Sequence, residues 1–198
     1  MNFIISYPRS GQHMIASVLE YLVIGHGMEY SYCEFYNCCY TIPCKKGSIF
    51  QKNHDFDGNL PITSENKYLV LYRKDPILQL EAYARYMNMT SLEETCQFMC
   101  SKRKFYDRFV QKWCHHHHPN VLVFDYYELL ASPVENMKTI FHHFYPDITL
   151  RPEVWDTILL QTFSIYQIQR PIQSPRLMDS EYYHLLLERM EEIVKLEK

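Results

Sequence analysis

Residues 3–14 read Phe3-Ile4-Ile5-Ser6-Tyr7-Pro8-Arg9-Ser10-Gly11-Gln12-His13-Met14, and their order decides the fold. Phe3–Ser6 is a β-branched and aromatic run too short for a helix, so it reads as a strand. His13–Ile24 repeats apolar residues every three or four positions and reads as an amphipathic helix. The turn between strand and helix offers exposed backbone N–H groups and the positive end of the helix dipole, both suited to an anion. Gly11 lets a ligand approach the backbone, Ser10 offers a hydroxyl donor, and Arg9 supplies charge. The stretch predicts a strand, a phosphate-binding loop and a helix start, hence a protein that handles a phosphate-bearing nucleotide on an α/β sheet. The G-x-x-x-x-G-K-[ST] pattern is absent, because no first glycine is present and Gln12-His13 stand where Lys-Ser/Thr would be, which disfavours a Walker-type ATPase.

Working outward, Tyr68–Tyr72 and Val121–Phe124 read as two further strands, and Ile77–Met87, Ser91–Trp113 and Pro133–Phe144 as helices. Strands alternating with helices imply a central parallel sheet flanked by helices on both faces. Ser91-x-x-Glu94 has the capping-box form, and Ser132-Pro133 sets an N-cap residue before a proline at the first helical position. Ser180–Leu196 reads as a last amphipathic helix, and 152–178 as irregular and proline-punctuated. A chain of 198 residues with no sign of a second domain is expected to form a single domain.

A net charge of -3 gives no general attraction for a nucleic-acid polymer or an anionic membrane, so any polyanion must be held by local groups. No apolar run approaches the roughly 20 residues of a membrane span, and the chain is expected to be soluble and cytoplasmic. Seven cysteines fit reduced thiols better than a closed disulfide framework. Four of them, Cys33, Cys38, Cys39 and Cys44, lack the paired C-x-x-C spacing of common zinc sites, and no metal is expected from them. His115–His118 lie between a helix and a strand and read as a solvated turn.

Residues 49–61 place Lys52 and His54 two apart in a β-like segment, on one side of it. A neutral histidine can take a proton from a hydroxyl, and an ammonium can stabilise charge growing on a leaving phosphate. The strand Tyr68–Tyr72 runs into Arg73-Lys74-Asp75-Pro76, which brings two cations to the strand end where ligands of open α/β sheets bind.

These segments, over about residues 3–145, resemble the sulfotransferases that use 3′-phosphoadenosine 5′-phosphosulfate (PAPS). Tyr7-Pro8-Arg9-Ser10-Gly11 is similar to their 5′-phosphosulfate loop, although Gln12-His13-Met14 stand where the family has Thr-Thr-Trp. Lys52-Asn53-His54 with Leu60-Pro61 resembles the Lys-Thr-His strand of the cytosolic branch, whose histidine is the catalytic base. The family's 3′-phosphate arginine corresponds to Arg73 or, in a shifted register, to Lys74, and its 3′-phosphate serine to Glu81 or Ala82. Tyr126-Tyr127-Glu128-Leu129 is similar to the family's Tyr-Glu-Asp-Leu, which points to Tyr127 as the adenine contact. The late elements that close over the donor have no clear equal, and Arg170 and Arg176 could substitute for them.

The resemblance implies transfer of a sulfuryl group from PAPS to a hydroxyl or amine, with 3′-phosphoadenosine 5′-phosphate (PAP) as product and no metal in the reaction. Arg9, Ser10, Gly11, Gln12 and His13 would hold the phosphosulfate, with His54 as base and Lys52 on the leaving phosphate. The acceptor would be a small molecule or, less favoured, a glycan, chosen by the 25–46 and 152–178 loops; neither a nucleic-acid polymer nor a membrane is implied. Two alternatives stay open. One is a weak or inactive nucleotide-binding relative; the other is a kinase using Asp55, Asp57 or Asp125 for Mg²⁺.

Overall fold

A computed structural model describes residues 1–36, 38–115, 117–149, 151–155 and 181–196. Its sheet has five parallel strands: β1 (Asn2–Ser6), β2 (Tyr32–Cys33), β3 (Phe50–Asn53), β4 (Lys67–Tyr72) and β5 (Val121–Asp125), in the order β2-β3-β1-β4-β5. β1 is paired on both sides, with Ile4 opposite Lys52 of β3 and opposite Leu69 of β4.

The two-residue period of the strands divides the core. Ile4, Leu69 and Leu71 point to one face, against α1 (Gln12–Gly25) and α5 (Pro133–Phe144), where Ile15, Val18, Leu22, Ile140 and Phe141 are buried. Phe3, Ile5, Tyr68 and Val70 point to the other face, against α2 (Pro76–Tyr86), α3 (Leu92–Phe109) and α6 (Glu181–Leu196). Helices on both faces explain why these strands are apolar on both sides. A short α4 (Tyr126–Ala131) follows β5 directly.

Local signals set most boundaries. The capping box at Ser91 and Glu94 is formed in both directions. Asp75 caps α2 by accepting from the N–H groups of Ile77 (2.7 Å) and Leu78 (3.1 Å), with Pro76 at the first position. At α5 only part of the expectation holds: Pro133 opens the helix, but the Ser132 side chain makes no capping bond. Residues 156–180 lie outside the described residues, and with them Ser180, Arg170, Arg176 and most of the irregular stretch.

The helix expected to run to Trp113 changes character at Val110, where it widens into a π turn over Val110–Cys114. That turn aims two consecutive side chains at one carboxylate. Asp55 Oδ2 accepts from Lys112 Nζ (2.6 Å) and Trp113 Nε1 (2.9 Å), and its Oδ1 accepts from the Leu60 N–H (2.8 Å). The Asp55 side chain is 1% exposed and its φ is 45°, so the loop after β3 is held in a strained conformation by a buried charged cluster. Asp55→Ala would leave the buried Trp113 N–H without its acceptor and the Lys112 ammonium without its counter-charge, held only by the Gly58 and Leu60 carbonyls, a loss on the order of 3 kcal/mol. Urea unfolding should show a lower midpoint with an unchanged slope; a midpoint equal to wild type would refute the role given to this cluster.

Candidate active site

Because β1, β3 and β4 lie side by side and point the same way, the chain segments leaving them emerge together at one sheet edge. From β1 comes the loop of residues 7–11. Arg9 (φ 74°) and Gly11 (φ 82°) both adopt the left-handed conformation, and Gly11 is required by space as well: a Cβ there would lie 2.7 Å from Cε2 of Tyr126. The loop is clamped from α2 by the Gln79 amide. Its Oε1 accepts from Ser10 Oγ (2.7 Å) and from the Arg73 N–H (2.9 Å), while its Nε2 donates to the Pro8 carbonyl (2.5 Å).

Ser10 is therefore buried, with its hydroxyl proton committed to Gln79. Gln12 is also turned inward: its amide nitrogen donates to the Ile4 carbonyl (2.7 Å) and its oxygen accepts from Ser6 Oγ (2.7 Å). Side-chain donation to a ligand, expected of Ser10 and Gln12, goes instead to protein acceptors. Met14, in the first turn of α1, packs into the core. What the loop presents outward is the exposed Arg9 and His13 side chains together with the first backbone N–H groups of α1, which have no side-chain cap.

From β4 comes Arg73. Its guanidinium donates to the Arg9 carbonyl (3.2 Å) and to the Tyr127 hydroxyl (3.2 Å), and lies over the rings of Tyr126 (4.9 Å) and Tyr127 (5.5 Å). Its Nε is buried without a hydrogen-bond partner, and among the described residues no carboxylate pairs with it. Lys74 points its side chain into solvent, and its N–H donates to Asp125 (2.6 Å). Of the two registers, the geometry brings Arg73 to the loop. Glu81, at the serine position of that register, is buried and paired with Arg85.

From β3 come Lys52 and His54. His54 Nδ1 lies 2.6 Å from the Ser6 carbonyl oxygen, which can only accept, so Nδ1 carries the proton and Nε2 keeps its lone pair. Burial, helped by the Lys52 and His13 charges, pulls the imidazole down to about 4, against the contribution of the Ser6 bond. Burial likewise lowers the Lys52 ammonium, with Glu34 opposing. Lys52 Nζ lies 3.3 Å from His13 Nε2, and His13 Nδ1 lies 3.2 Å from Glu34, a chain linking β3, the loop and the segment after β2. Lys52 and His54 line one cavity of about 460 Å³ whose apolar walls include Phe35, Ile42 and Phe56.

A solved structure with this architecture is that of the mouse sulfotransferase SULT7A1 complexed with PAP, at a TM-score of 0.61 and 20% identity over 81% of this chain. The fold is sulfotransferase-like. The chain spans 64% of the length of that structure. No protein-family model and no curated protein matches the sequence.

On this sulfotransferase-like frame, two carboxylates considered for Mg²⁺ are already engaged. Asp55 holds Lys112 and Trp113; Asp125 caps α4 through the N–H groups of Tyr127 (2.8 Å) and Glu128 (3.1 Å). Three contributors escape a reading of the sequence. Gln79 is one of many polar helix residues until its partners are known. Tyr126, adjacent to Tyr127, is the ring that packs on Gly11. The four cysteines after β2 converge, their sulfurs within 4.8 Å of one another. Among the described residues the histidine run forms no such group.

The depressed His54 value fixes a pH dependence. An unfolded imidazole protonates near 6.5 and the folded one near 4, so the unfolded state binds more protons between these values. Stability contributed by neutral His54 is complete above about 6.5 and is lost as the pH falls toward 4. In a ¹³C-detected NMR titration the His54 ring should stay neutral, with Nδ1 protonated, down to about pH 5; a midpoint at or above 6.5 would contradict the burial described here.

Proposed function

We propose that the protein is a PAPS-dependent sulfotransferase that moves a sulfuryl group to a hydroxyl or amine of a small-molecule or glycan acceptor. The observation that carries this reading is the bond from His54 Nδ1 to the Ser6 carbonyl. It sets a neutral imidazole, with its basic nitrogen Nε2 available, at the end of the strand that opens the anion loop. A general base beside an anion cradle, with a cavity at its side, is what group transfer from a phosphate-bearing donor needs.

In this reading the backbone N–H groups of residues 9–13 hold the 5′-phosphosulfate, and Arg73 holds the 3′-phosphate with Lys74 second. Tyr127, beside Tyr126, supplies an aromatic face for the adenine. The donor brings the sulfuryl group and leaves as PAP. His54 Nε2 takes the acceptor proton as the new O–S or N–S bond forms, and Lys52 offsets the charge left on the departing phosphate. The imidazolium then returns its proton to solvent. An acceptor in the cavity beside Lys52 and His54 is bounded by Phe35 and Phe56, which suits a small aromatic or apolar body carrying one nucleophile. A cytoplasmic setting, where the cysteines stay reduced, belongs to the same reading.

His54→Ala should lower PAPS-dependent turnover by about 10²-fold or more while PAP affinity, measured by calorimetry, changes little. Unchanged turnover would sink the base assignment. Arg73→Ala should cost about tenfold or more in PAP affinity and erase most of the preference for PAP over ADP. A wild-type protein that binds ADP as tightly as PAP would remove the donor assignment, and tight PAP binding without transfer across a broad acceptor panel would favour an inactive relative.

A further inference from the structure

Cys33 ends β2, Cys38 and Cys39 lie in the turn that follows, and Cys44 comes five residues later, a C-x₄-C-C-x₄-C spacing. All four sulfurs lie within 4.8 Å of one another, and Cys33 and Cys39 are 3.5 Å apart. A tetrahedral tetrathiolate zinc site with Zn–S bonds of about 2.3 Å has S···S edges of about 3.8 Å. The four sulfurs are thus spaced for a centre of that size, and an all-sulfur donor set suits zinc rather than the oxygen-rich shell of Mg²⁺ or Ca²⁺.

Packing alone does not account for this convergence. A free cysteine packs as a small hydrophobe and gains nothing by meeting three others at a sheet edge. The backbone is bent to bring them there: Phe35 (φ 58°) and Tyr40 (φ 54°) both take the left-handed conformation, at about 1–2 kcal/mol each for a residue with a Cβ. The N–H groups of Cys38 (3.1 Å), Cys39 (3.2 Å) and Tyr40 (3.1 Å) all donate to the Phe35 carbonyl, folding the turn back on itself. The Phe35 N–H donates to Cys33 Sγ (3.4 Å), and Ser48 Oγ lies 3.4 Å from Cys44 Sγ. Such outer bonds orient and stabilise metal-bound thiolates. Cys33 and Cys44 are buried, Cys38 and Cys39 half-buried, and the exposed Lys45 and Lys46 follow to oppose negative charge. A closed four-sulfur shell is the mark of a structural site, not a catalytic one.

We propose that Cys33, Cys38, Cys39 and Cys44 bind one Zn²⁺ as four thiolates, releasing their thiol protons to solvent, and that this zinc fixes the loop bearing Glu34, Phe35, Tyr36 and Ile42. Those four residues line the cavity beside His54. That the stapled wall faces an acceptor rests on the sulfotransferase reading; the zinc site does not.

The test uses the full chain, expressed with zinc, purified under reducing conditions and without an immobilised-metal step because of His115–His118. Elemental analysis should find one zinc per chain, and cobalt substitution should give the thiolate charge-transfer and strong visible bands of tetrahedral sulfur ligation. Cys38→Ser together with Cys39→Ser, the two less buried positions, should abolish both signals, whereas Cys100→Ser should keep them. Chelation of wild type should remove the zinc and lower the melting temperature, a readout that holds even if the double variant fails to fold. Protein without zinc and with all thiols titratable, a Cys33–Cys39 disulfide, iron with acid-labile sulfide, or retention of zinc and thiolate bands in the double variant would each overturn the proposal. Failure to bind PAP with zinc intact would count against the sulfotransferase reading alone.

Discussion

The parallel pairing of β1 on both of its sides is the constraint on which the rest depends. It places three strand ends in one row, and the groups that meet there are the last residues of β1. The Ser6 carbonyl receives His54 Nδ1–H, the Ser6 hydroxyl donates to Gln12, and the Tyr7 N–H is held by the Leu71 carbonyl at 3.0 Å. A one-residue slip of β1 would exchange its two side-chain faces and send Ile4 and Ile5 to the wrong cores. It would also move the Ser6 carbonyl away from the imidazole. Strand register and the protonation of the candidate base are thus one structural fact.

The loop beyond β1 is held mainly from outside. Two bonds of the Gln79 amide, with Ser10 and Pro8, and the Arg73 bond to the Arg9 carbonyl tie it to α2 and the end of β4, with Gln79 bonded in turn to the Arg73 N–H, while the ring of Tyr126 fills the space Gly11 leaves open. The chain's net charge is -3, so any attraction for a polyanion must come from where cations are placed. Arg73 lies over the rings of Tyr126 and Tyr127, half-buried and without a carboxylate partner among the described residues, where its charge is less screened than that of a surface arginine.

Strand-turn-helix order and apolar periodicity made the fold legible, because β1, β4, β5, α1 and α5 each carry their own local pattern. Elements without one were not legible. β2 has two residues and is a strand only because β3 lies beside it. The π turn at Val110–Cys114 follows from where Lys112 and Trp113 must reach, a long-range demand that no local propensity encodes. In the site, chemical type was readable but side-chain direction was not. Ser10 and Gln12 have the right donors and spend them on Gln79 and Ile4; Tyr126 and Tyr127 are the same residue type side by side, and only the packing distinguishes the ring that meets Gly11. The cysteine spacing matches no common ligand pattern, and only the left-handed turns at Phe35 and Tyr40 bring the four sulfurs together.

The two departures from the sulfotransferase pattern that would most threaten an anion site are both neutralised internally. Gln12 stands where the family pattern has a hydroxyl residue, yet its amide is consumed by Ile4 and Ser6, so it anchors the loop and leaves the first N–H groups of α1 without a side-chain cap. Glu81 would repel a phosphate if free, yet it is buried against Arg85 and forms its ion pair there. A buried carboxylate with its own cation contributes little net field at the Arg73 side chain, so the strand end keeps its positive character with Glu81 at the position where the family pattern has a serine. Under the donor assignment proposed above, what differs from the family pattern is specificity rather than sign: no hydroxyl stands beside Arg73 to share a 3′-phosphate, and discrimination at that position would fall to Arg73.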